Sequence, residues 1–138
     1  MTWVIDASIA VKWVIPEVLS ERADLLRAGG DDLIAPDLLL VEVANALWKK
    51  TSRREISPAE ADAAFGLLQH SGLDLRPTAP VLTPALQLAR RLAHPVYDCV
   101  YLALAAQERA TLVTADRRLL RLASNRRVPV PVIDLRTI

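Results

Sequence analysis

Soft metal ligands are almost missing from this sequence: it has one cysteine, Cys99, and two histidines. Cys99 has no partner for an internal disulfide and no C-x-x-C neighbour, which argues against a disulfide scaffold and a zinc or redox motif and fits a reducing, cytoplasmic setting. His70 and His94 lack mutual metal spacing and read as surface or capping residues. A charge excess is missing too. Seventeen basic and sixteen acidic residues leave a net +1, so no global electrostatic signature of nucleic-acid binding exists and any such role must rest on local arrangement. Mean hydropathy is +0.24 and 52% of the chain is hydrophobic. Even so, charged residues interrupt every apolar stretch before the ~18 residues a membrane span requires. The opening Met1 to Asp6 carries neither a basic leader nor a long apolar core, so neither a signal peptide nor an anchor is expected. No G-x-x-x-x-G-K-S/T, G-x-G-x-x-G or G-x-S-x-G string occurs, which removes the main nucleotide-binding and serine-hydrolase motifs.

What is present is an alternation of short apolar strands and helices. Trp3 to Ile5, Leu33 to Ala35, Leu73 to Arg76, Thr111 to Val113 and Pro131 to Asp134 read as strands. Helices are predicted over Ser20 to Ala28 with Ser20 as N-cap, Leu38 to Thr51 with Asp37 as cap, and Pro58 to His70. The capping box Ser57-Pro58-Ala59-Glu60 starts the last of these. Thr83 to Leu92, Tyr97 to Arg109 and Asp116 to Asn125 complete the helices. There is no linker or internal repeat, so residues 1–138 are expected to form one domain. The alternation predicts an α/β sandwich with a mostly parallel sheet, whose ligands bind beyond the carboxyl ends of its strands. The high apolar content is expected to cover a subunit or partner interface as well as a core.

Two strands end alike. Val4-Ile5-Asp6-Ala7-Ser8 and Leu112-Val113-Thr114-Ala115-Asp116 each place an aspartate just past the sheet. Either one, taken alone, also reads as the cap of the following helix. Asp134, with the same local pattern at the tail, reads as structural. Glu42 lies on a helix that is apolar nearly all round, in a narrow polar stripe with Asn45 and Lys49, and a carboxylate there requires a polar destination. Asp98 opens a helix whose next nine residues carry no charge, as a metal ligand or as a first-turn carboxylate favoured by the helix dipole. Together, Asp6, Glu42, Asp98 and Asp116 describe a carboxylate cage, and four clustered carboxylates repel one another until a cation arrives. Such a cage suits Mg²⁺-assisted phosphodiester hydrolysis. Ser8 and Thr114 are candidates to hydrogen-bond the carboxylates, and Asn45 to orient Glu42 or touch substrate. Lys49, Lys50, Arg53, Arg54, Arg117, Arg118 and Arg121 flank these acids, as phosphate contacts or as solvated helix ends.

These motifs resemble those of the PIN domain, and from end to end the chain resembles the VapC-type toxins of toxin-antitoxin pairs. Val4-Ile5-Asp6-Ala7-Ser8 continuing to Lys12-Trp13 and Pro16-Glu17 is similar to the family's first strand and helix. Glu42-Val43-Ala44-Asn45, Tyr97-Asp98 and Thr114-Ala115-Asp116 are similar to its second, third and fourth acidic motifs. The resemblance implies a three-layer α/β/α sandwich with a short, mostly parallel central sheet. It also implies an Mg²⁺- or Mn²⁺-dependent endoribonuclease, usually a homodimer, silenced by a cognate antitoxin whose tail enters the active-site groove. Asp6, Glu42, Asp98 and Asp116 would be its metal ligands, Asp6 and Asp98 the firmest. A catalytically silent PIN-like module that binds RNA or protein is the alternative. An acid-rich phosphatase would want a second aspartate two residues after Asp6, where Ser8 stands.

Overall fold

Five short, mostly aliphatic strands form the centre of the molecule, seen in a computed structural model that describes residues 1–138. They are β1 (Thr2–Ile5), β2 (Asp32–Pro36), β3 (Asp74–Arg76), β4 (Thr111–Thr114) and β5 (Val132–Asp134). All neighbours are parallel, in the order β3-β2-β1-β4-β5, with Ile5 opposite Val113 in the central pair. Parallel strands require crossovers, here α1 (Ala7–Val14), α2 (Ser20–Ala28), α3 (Leu38–Ser52), α4 (Pro58–Gln69), α5 (Leu82–Leu92), α6 (Val96–Glu108) and α7 (Arg117–Ala123). Right-handed crossovers put α1 to α4 on one face of the sheet and α5 to α7 on the other. The packing agrees: α1 lies against α2, α3 and α4, and α5 against α6. This is the expected three-layer sandwich.

The winding direction reverses between β1 and β4. From β1 the chain moves toward the β3 edge, and from β4 toward the β5 edge, so a crevice opens beyond the carboxyl ends of these central strands. The buried apolar residues form a single cluster running through β1, β2, β4 and α6. From Asp98 to Ala105 every residue of α6 is buried, because the helix lies between the sheet and α5. No helix is long and apolar enough to cross a membrane.

Several local expectations are corrected. Helix α1, expected from the family resemblance, is missing from the strand and helix pattern after Ile5; its run Ala-Ser-Ile-Ala-Val-Lys-Trp-Val is short and rich in β-branched residues, which hides a helical period. Ser20 does not cap α2. Leu19 holds the N-cap position in a left-handed conformation (φ 72°), and the Ser20 hydroxyl accepts the Glu17 N–H at 3.0 Å. Asp37 makes no side-chain cap on α3; its Oδ1 accepts the Thr78 N–H at 3.0 Å, while Thr78 Oγ1 accepts the Leu38 N–H at 3.0 Å. Nor is α3 buried all round: Leu39, Val43 and Leu47 face the core, but Val41 and Trp48 are 66% and 62% exposed. Asp134 has the structural role read for it, capping a 3-10 turn over Leu135–Thr137 and pairing with Arg136. The Ser57–Glu60 capping box forms as read.

Candidate active site at the β1–β4 crevice

Because β1 and β4 are paired in register, their carboxyl ends deliver Asp6 and Thr114 side by side. The chain turns from β1 into α1 at Asp6, whose Oδ1 accepts the Ile9 N–H at 3.3 Å, so the aspartate does cap the helix. Capping does not exhaust it. Ser8 Oγ donates to Asp6 Oδ1 at 2.6 Å and Thr114 Oγ1 donates to Oδ2. These hydroxyls in turn accept backbone N–H groups, of Ala115 on Ser8 and of Asp116 on Thr114, both at 3.0 Å. The hydroxyl protons are thereby left for Asp6, and its carboxylate is held in one orientation.

Asp6 is only 6% exposed and forms no ion pair with any cationic side chain. Burial pushes its carboxyl from 3.8 up to about 6; hydrogen bonds from Ser8, Thr114 and Ile9 hold the rise back, and the negative charge of Asp116 adds to it. Asp116 also caps a helix, its Oδ1 accepting the Arg118 N–H at 2.8 Å. For both aspartates, cap and site residue are therefore compatible roles.

Glu42 reaches the same crevice from α3, half-buried. Its Oε1 accepts the hydroxyl proton of Tyr101 on α6. Burial raises its carboxyl above the usual range, opposed by the Tyr101 hydrogen bond; Asp98 and Asp116 raise it further and Arg118 lowers it. Tyr101 is pushed far above its ordinary range, by burial and by the negative charges of Glu42, Asp6 and Asp98, so it remains a proton donor. That one phenol lies in the field of three of the four carboxylates, and Asp116 acts on Asp6 and Glu42, so the four acids are electrostatically linked.

Asp98 is buried in the first turn of α6. Its Oδ2 accepts His94 Nε2–H at 2.6 Å and pairs with an Arg118 guanidinium nitrogen at 3.3 Å. His94 is thus not a surface residue, a correction: its backbone N–H closes the end of α5 on the Ala89 carbonyl at 3.1 Å, but its side chain is committed to Asp98. Asn45 is exposed and makes no side-chain hydrogen bond, so it does not orient Glu42 in this structure. Lys50 is engaged by Glu17 at 2.8 Å and Glu55 at 3.7 Å, and Lys12 by Glu17 at 2.9 Å. Lys49, Arg53, Arg54, Arg117 and Arg121 are exposed. Tyr101, His94 and Arg118 as a carboxylate partner are what the sequence reading missed. Spacing held a signal: Tyr101 lies three residues after Asp98 on the same helix, and His94 four before it.

No three histidine, cysteine, aspartate or glutamate side chains close on a common point at ligating distance. Each of the four carboxylates is instead held by a partner within the chain. The donor chemistry nevertheless fits a hard divalent cation: carboxylate oxygens with adjoining hydroxyls, no thiolate facing the mouth, and in Asp6 a buried negative charge without a counter-cation.

Residues 3–125 match the PIN domain family, and the chain belongs to that family. Within it, the sequence is 36% identical over 121 residues to Ribonuclease VapC3 of Pyrobaculum aerophilum, covering 86% of this chain and 92% of that one. The fold is shared with solved structures at lower identity. PAE2754, also of P. aerophilum, superposes with a TM-score of 0.74 at 23% identity over 99% of this chain and 85% of that one. VapBC2 from Rickettsia felis, bound to a DNA fragment from its promoter, gives 0.64 at 16% identity over 97% and 98% of the two chains. FitAcB from Neisseria gonorrhoeae gives 0.66 at 15% identity over 99% of each.

Proposed function

We propose that the chain is a metal-dependent endoribonuclease, the toxin of a toxin-antitoxin pair, cleaving RNA at the β1–β4 mouth with Mg²⁺ or, in its place, Mn²⁺. The observation that carries this reading is Asp6: a carboxylate buried at the switch point of the sheet, oriented by Ser8 and Thr114, with three more acids and no cation of its own. Asp6, Glu42, Asp98 and Asp116 would hold the metal. When bound, the cation supplies Lewis-acid neutralisation of the phosphate and a more acidic water. The chain's own part is orientation and proton holding. Ser8 and Thr114 keep both Asp6 oxygens in place, Tyr101 keeps Glu42 aimed at the mouth, and Glu42, with its raised affinity for a proton, is the carboxylate suited to take one from attacking water. Arg117 opens α7 beside Asp116 and Arg121 lies in its last turn, both exposed where RNA phosphates would pass, and Asn45 lies exposed on the Glu42 helix.

Two partners belong to the reading. The kinship with VapC3 and the fold shared with VapBC2 support a cognate antitoxin. Exposed Val41, Trp48, Leu67 and Leu86 supply apolar surface for it and for a homodimer. Buried, unpaired Cys99 suits the cytoplasm. A silent RNA- or protein-binding module is the second reading, favoured by the protein partners that hold Asp98. Expression without an antitoxin separates the two. The nuclease slows growth while Asp6→Asn and Asp98→Asn are tolerated; equal growth with all three proteins, joined to no cleavage of any RNA in vitro, overturns the toxin and the enzyme together.

A further inference from the structure

Asp98 Oδ2 has two side-chain nitrogen partners, and they differ in kind. His94 is enclosed, with 12% of its side chain exposed, and comes from the loop that starts α6; Arg118 is 58% exposed and reaches in from α7. Arg118 is tied to the acids in two further ways. Its backbone N–H is capped by Asp116 at 2.8 Å, and its charge acts on Glu42. The guanidinium therefore supplies positive charge to Asp98 and Glu42, two of the acids a divalent cation would serve, while leaving Asp6 without a counter-charge. A long, mostly solvated side chain on a short helix is free to swing out; a buried histidine is not.

We propose that Arg118 is a built-in competitor for the cation. It occupies Asp98 Oδ2 until a divalent ion displaces it, whereas His94 stays and fixes the orientation of Asp98. This rests on the metal-dependent reading above and adds a residue that limits metal affinity. The competition is of ordinary size, because a partly exposed ion pair shifts an equilibrium by about two- to fivefold.

Calorimetric titration of Mg²⁺ into metal-stripped protein, without RNA, tests this directly. Arg118→Gln removes the guanidinium but keeps the backbone N–H that caps on Asp116. Arg117→Gln removes an equal charge from the neighbouring exposed residue, which contacts none of the acids, and reports the long-range field alone. Arg118→Gln is expected to bind Mg²⁺ about two- to fivefold more tightly than wild type. The gain should persist in 0.5 M KCl, where screening removes charge effects beyond roughly 4 Å. Arg117→Gln should stay close to wild type there. Equal or weaker binding by Arg118→Gln, or an equal gain from Arg117→Gln in high salt, overturns the competitor while leaving the metal site standing. No saturable heat from wild type or any variant overturns the site itself, and the competitor with it. Circular dichroism of each variant verifies that the fold is kept.

Discussion

Replacing Asp6 with asparagine is expected to make the metal-free protein more stable. In the folded chain the Asp6 carboxyl is raised from 3.8 to about 6, mainly by burial. The sign follows from proton uptake: between these values the folded state holds a proton that the unfolded chain has released. Stability contributed by Asp6 is therefore full below pH 3.8 and falls as pH rises through 6, by roughly 3 kcal/mol in all. Asparagine cannot ionise, and it caps helices as well as aspartate does. Its amide oxygen accepts one hydroxyl, and its NH₂ donates to the other, for a cost of about 1 kcal/mol in geometry. The net expectation in chelator at pH 7.5 is a gain of roughly 2 kcal/mol, or about 4 to 8 °C for a domain of this size. Added Mg²⁺ should then raise wild type more than the variant, since only wild type gains a tight ligand. Thermal melts and urea unfolding from pH 4 to 8 measure both effects. A variant that melts lower than wild type in chelator, or a wild-type profile without a stability loss between pH 4 and 6.5, refutes the picture of Asp6 as an uncompensated buried charge.

The other hydrogen bonds around the mouth make smaller demands. Thr114→Val keeps the shape but removes the donor to Asp6 and the acceptor of the Asp116 N–H, and should cost about 1–3 kcal/mol in urea unfolding, with Thr114→Ser near wild type. Tyr101→Phe frees Glu42 Oε1 and should lower kcat/KM for RNA by roughly tenfold, about 1.4 kcal/mol, with a smaller change in KM. A light-scattering mass twice 15.2 kDa at micromolar concentration is expected from the exposed apolar surface, and the monomer mass would refute the homodimer.

The layer order, and the arrival of Asp6 and Asp116 at the carboxyl ends of neighbouring strands, were legible because they depend on coarse signals: apolar strands, their turn residues, and an aspartate just beyond each of two strands. The Ser57 box was readable from local chemistry alone, and the α2 span came out right although its expected Ser20 cap does not form. What escaped depends on partners distant in sequence. The α3 cap comes from Thr78, forty residues on, and nothing local at Asp37 announces it. Leu38 to Trp48 looks apolar all round, yet only the i, i+4, i+8 face of Leu39, Val43 and Leu47 meets the core, because exposed and buried aliphatics look the same in sequence. Repulsion among the acids was expected to fall on all four. Burial is the larger effect on Asp6 and Glu42, with repulsion from Asp116 on both and from Asp98 on Glu42 adding less, and Arg118 on Asp98 and Tyr101 on Glu42 are partners that only the folded chain assembles.

On the proposed reading, the acids at the β1–β4 mouth form one metal-dependent RNA-cleaving centre. Single-turnover cleavage of an RNA panel, titrated with Mg²⁺ after chelation, tests it most directly in wild type, Asp6→Asn and Asp98→Asn. No cleavage is expected in chelator, saturable recovery with Mg²⁺ or Mn²⁺ in wild type, and none in either variant. Cleavage that survives chelation, or proceeds at the wild-type rate in either variant, would contradict it.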